Sequence, residues 1–81
     1  MALTKEEVVN VKKYLSNVFL NASNPDISGF GMHHGHVRIY ESGKISEQKL
    51  QEIREKARDV LGRPLMKSEL ECVHTGGFGF H

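Results

Sequence analysis

The chain has 81 residues, 26% of them charged and 38% hydrophobic, and a formal net charge of +1 at pH 7. This predicts one domain over residues 1–81, with a core that is thin but too apolar for a disordered segment. The small charge argues against a generic nucleic-acid clamp, which needs a concentrated positive field, and no apolar run approaches the ~18 residues of a membrane span.

The first residues, Met1-Ala2-Leu3-Thr4-Lys5-Glu6-Glu7, turn acidic and helical at once, unlike a secretory leader. Thr4 is the expected cap of a first helix, and Glu7 three residues later completes a capping box. Leu3 and Val8 form the hydrophobic staple. Val8, Val11, Leu15, Val18, Phe19 and Ala22 then make one apolar stripe at helical spacing, which Asn24-Pro25-Asp26 ends.

A hairpin follows. With His34-Gly35 as a two-residue turn, His33 pairs with His36, Met32 with Val37, Gly31 with Arg38, Phe30 with Ile39 and Gly29 with Tyr40. This register sorts the side chains by kind. Phe30, Met32, Val37 and Ile39 share the face expected to meet the core. Gly29, Gly31, His33, His36, Arg38 and Tyr40 share the other, where the Tyr40 and Arg38 side chains lie across glycines and fill the space these leave.

Ser46 is the expected cap of a second helix, with Ile45 and Leu50 as its staple. Leu50, Ile53, Ala57, Val60 and Leu61 form its buried stripe. Gly62 stops it and Pro64 follows. Ser68 to Val73 alternates as a strand does, with Leu70 and Cys72 inward and Glu69, Glu71 and Val73 outward. Thr75-Gly76-Gly77 signals a turn, after which Phe78 to His81 is a candidate short fourth strand. The fold class is therefore α+β in the order α-β-β-α-β: two amphipathic helices packed on one face of a small, largely antiparallel sheet of three or four strands.

Two groups of residues suggest chemistry. His33, His34 and His36 cluster within the hairpin, and Cys72 and His74 lie two apart on the last strand. Imidazole and thiolate together suit zinc or a similar transition metal, although no CxxC or HExxH spacing is present. Cys72 and His74 also pose as nucleophile and base, but roughly 7 Å apart along a strand is loose for a direct hydrogen bond. No carboxylate is evidently placed to orient His74, so the expectation is a chain that is not an enzyme. A lone cysteine excludes an internal disulfide and suits a reducing cytoplasm.

The second group is aromatic. Gly29-Phe30-Gly31-Met32-His33 is echoed by Gly77-Phe78-Gly79-Phe80-His81. Gly77-Phe78-Gly79-Phe80 resembles the core of the ribonucleoprotein-1 motif of RNA-recognition domains, whose strand aromatics stack on bases. That family sets the motif within a βαββαβ order and precedes it with a basic residue, where this chain has Gly76.

The reading that follows is a non-enzymatic interaction module. It uses the open sheet face, with His33, His36, Arg38, Tyr40, Phe78 and Phe80, to bind a protein partner or a second copy. Transition-metal binding through His33, His34, His36, Cys72 and His74, and stacking on single-stranded nucleic acid, are the alternatives. A membrane partner is not expected.

Overall fold

A strong first turn starts the structure, a computed structural model that describes residues 3–74. The Thr4 hydroxyl accepts from the Glu7 amide at 3.1 Å, and the Glu7 carboxylate accepts from the Thr4 amide at 2.9 Å. This capping box opens α1, Lys5–Phe19, which buries Val8, Val11, Leu15 and Phe19 along one side. Ala22, expected on the stripe, lies past the helix end and is exposed. Asn21 closes the helix first, its side-chain amide donating to the Val18 carbonyl.

The hairpin has the register that its side-chain sorting predicts. Strand β1, Ile27–His33, and strand β2, His36–Glu41, run antiparallel, with His33 opposite His36, Gly31 opposite Arg38 and Gly29 opposite Tyr40. His34 and Gly35 have φ of 50° and 78°, the positive values that a tight hairpin turn of matching twist requires. The pairing extends further back than expected: the register shifts between Ile27 and Gly29, and the Ser28 hydroxyl donates to the Tyr40 carbonyl at 3.0 Å.

Ser46 caps the next helix by accepting from the Lys49 amide. The helix is shorter than its stripe implies. Helix α2 spans Glu47–Lys56, the chain turns at Ala57, and a single-turn helix α3 covers Arg58–Leu61 before Gly62 ends it at φ 79°. Ile53 and Ala57 are fully enclosed, but the break turns Val60 outward, leaving it 38% exposed.

A further correction concerns Glu69. It lies in a 3-10 turn, Lys67–Glu69, not on the outer face of a strand, and it is buried. Its carboxylate receives both Arg63 guanidinium nitrogens at 2.9 Å and the Met66 amide at 2.8 Å. Strand β3, Leu70–His74, then pairs parallel to β2, with Leu70 opposite Val37, Cys72 opposite Ile39 and His74 opposite Glu41.

The sheet is therefore mixed, in the order β1-β2-β3, and not largely antiparallel. The reason is topological. The helical segment between β2 and β3 carries the chain back along the sheet, so β3 restarts at the end where β2 began. The candidate fourth strand lies outside the described residues. Helices and sheet enclose one continuous core that includes Val11, Leu15, Phe30, Val37, Ile39 and Ile53. Met32 and Cys72 lie on the core side by strand alternation, yet both are exposed, and each is on a strand at one edge of the described sheet.

Candidate functional site on the uncovered sheet face

On the side away from the core, β1 offers Gly29, Gly31 and His33, β2 offers His36, Arg38 and Tyr40, and β3 offers Glu71 and Val73. Tyr40 lies flat across β1. A Cβ added to Gly31 would meet its hydroxyl oxygen at 2.7 Å and Cε2 at 2.8 Å, whereas one on Gly29 would meet only Cδ2 at 3.8 Å. Gly31 is thus the seat of the ring, and its missing side chain is what lets the tyrosine lie down. Tyr40 remains half-buried, with a face open to solvent.

Arg38 sits at the centre of this surface. Its Nε donates to the Glu71 carboxylate at 3.3 Å, their side chains being 26% and 40% exposed. Hydrogen bonds to Glu71 and then to Tyr40 hold the guanidinium above its ordinary pKa. A pair this exposed adds little stability. It does fix the guanidinium in place beside the ring. Glu71 could be read from the sequence only as outward-facing. Its pairing with Arg38 depends on the parallel register of β3.

The three hairpin histidines gather at the turn. The rings of His33 and His34 meet edge to face with centroids 4.0 Å apart. Desolvation, the Arg38 charge and the neighbouring His34 all lower the pKa of His33. Two shallow hollows flank the turn, one lined by Leu3, Lys5, Val8 and Met32, the other by Lys67, Ser68, Leu70 and Glu71. A separate hollow, lined by Asp26, Lys44, Ile45 and Lys49 among others, includes no histidine, Cys72 or open-face residue.

Cys72 and His74 do not join the hairpin histidines. His36 begins β2 while Cys72 and His74 lie opposite Ile39 and Glu41, so about 16 Å of strand separates His36 from the level of His74. Cys72 also faces the other side of the sheet. Among the described residues, no group of three or more His, Cys, Asp or Glu converges as metal ligands do.

A carboxylate does stand by the Cys72–His74 pair, which the sequence reading missed. Glu41 Oε1 lies 3.8 Å from His74 Nδ1. Desolvation raises the Cys72 pKa first, followed by the charge and hydrogen bond of Glu41 and the charge of Glu47, with Arg54 opposing. This environment disfavours the thiolate, the opposite of what an activated nucleophile needs. Phe78 and Phe80, the other members of the expected surface, lie outside the described residues.

No family model matches the chain, and no curated protein or solved structure matches it either. No helix among the described residues is long and apolar enough to cross a membrane. The site is therefore read from its own chemistry.

Proposed function

We propose that this chain is a non-catalytic interaction module that binds a protein partner, or a second copy of itself, through the open sheet face. The observation that carries the reading is the Tyr40 ring lying over Gly31 beside an anchored Arg38. Tyrosine and arginine dominate the energetics of protein interfaces, because each combines a large apolar area with directed hydrogen bonds. Both are held in place before any partner arrives, so little side-chain entropy remains to be lost on binding. The raised pKa of the Cys72 thiol supports a non-catalytic role. His33 and His36 add polar contacts at one end of the surface.

Replacing both anchors tests the proposal. The double variant Tyr40→Ala, Arg38→Ala should lose the protein partners captured by the wild-type chain, while circular dichroism shows unchanged helix content. Full retention of those partners would overturn it. Saturable, salt-sensitive binding of short single strands that Tyr40→Ala abolishes would assign the surface to nucleic acid instead.

A further inference from the structure

We infer that two copies of this chain join antiparallel along the free edge of β1, forming a continuous sheet about a twofold axis. The order β1-β2-β3 leaves β1 with a neighbour on one side only among the described residues. In a hairpin closed by a two-residue turn, the flanking pair is hydrogen-bonded, here His33 with His36. Alternation makes Gly31–Arg38 and Gly29–Tyr40 the next such pairs. The peptide groups of Phe30 and Met32 therefore point out of the sheet. Among the described residues, no backbone bond joins either of them to a turn, loop or cap.

Edges like this are normally blunted by charge, by proline or by shortness. Strand β1 is seven residues long, ISGFGMH, and holds no Asp, Glu, Lys, Arg or Pro. Its one irregularity, at Ser28, lies at the end away from Met32. The opposite edge, β3, is shorter and carries Glu71.

The occupant is a second copy because the strand complements itself. Pairing about Gly31 sets Phe30 opposite Met32 of the second copy, and the reverse, so that each pair exchanges both peptide hydrogen bonds. Met32 is 41% exposed beside the hollow lined by Leu3 and Val8. The second strand would cover it and bring its thioether to an aromatic neighbour. On the open side, the two Gly31 residues meet as the close, non-hydrogen-bonded pair, where a side chain would collide with Tyr40. No charge meets its like at the axis, and His33 falls opposite Gly29 of the second copy.

The inference stands apart from the open-face reading, since Met32 and Tyr40 lie on opposite sides of the sheet. Sedimentation of the full chain from micromolar to submillimolar concentration should show a mass rising from 9.1 kDa towards twice that. Amide exchange at Phe30 and Met32 should slow over the same range. Met32→Lys, at an exposed position, should remain monomeric throughout with an unchanged dichroism spectrum. A wild-type chain that stays monomeric would overturn the inference. So would a dimer that survives Met32→Lys but is lost in Tyr40→Ala, which would place association on the open face. If Met32→Lys disturbs folding, the wild-type exchange data decide: no slowing at Phe30 and Met32 overturns the pairing.

Discussion

Two glycines on one strand face, identical in sequence terms, are not equivalent in the structure. A Cβ at Gly31 would sit 2.7 Å from the Tyr40 hydroxyl oxygen, while at Gly29 the nearest Tyr40 atom is 3.8 Å away, an ordinary contact. Neither has a positive φ, so space decides the outcome. Gly31→Ala should destabilise by about 1–2 kcal/mol through overpacking and lift the ring off β1. Gly29→Ala should be neutral or slightly stabilising, because alanine loses less backbone entropy on folding. Urea titration of both variants measures the contrast, and equal effects would show that the ring does not rest on Gly31. The sequence made the placement of Tyr40 on this face legible, since Gly35 fixes the turn and strand alternation fixes the face. It could not distinguish the two glycines, because that depends on the rotamer of a residue on the neighbouring strand.

At the scale of elements, the 3-10 turn before β3 is held by one ion pair. Glu69 is buried, and Arg63 grips it through two nitrogens while remaining half-exposed itself. Arg63, ahead of the Met66 amide, holds the Glu69 pKa below its ordinary value, although burial pulls the other way. A depressed carboxylate pKa means that the unfolded chain binds the proton more readily. The stabilisation is thus complete above about pH 4.3, the unfolded value, and disappears as pH falls through the lower folded value. Glu69→Gln should lose about 1.5–2 kcal/mol at pH 7, with the two curves converging in acid. An equal penalty at pH 7 and pH 3 would assign the effect to shape and not to charge. Alternation points Glu69 outward because its pattern runs on into the 3-10 turn, one residue before the pairing begins at Leu70. The second helix is shorter than its stripe for a related reason: Leu50, Ile53, Ala57, Val60 and Leu61 satisfy helical spacing, and nothing in that spacing shows the turn at Ala57. Capping residues marked the helix starts well, as Thr4 and Ser46 act within a few residues of themselves.

At the scale of the whole molecule, the direction of β3 was the feature least legible in the sequence. Leu70 and Cys72 sort to the same face whether the strand runs up or down, so alternation is silent about orientation. Only the path of the helices settles it. That path also divides the sheet by stability. Pairing of β1 with β2 closes over two residues, whereas β3 reaches β2 only after the excursion from Ser42 to Leu70. Hydrogen exchange should therefore open β3 first, its amides exchanging faster than those of Arg38 and Tyr40, which point towards β1. Uniform exchange across the three strands would contradict this order.

The long return to β2 also bears on how the chain is made. Synthesis delivers the hairpin complete while residues beyond Glu41 are still being added, and a two-residue turn closes within microseconds. Until Leu70 to His74 emerges, the strand at the centre of the finished sheet waits with one flank bare, next to Val37 and Ile39 that no helix α2 yet shelters. The nascent protein is most vulnerable to mispairing in that interval, and a chaperone acting on it would find its handle on β2.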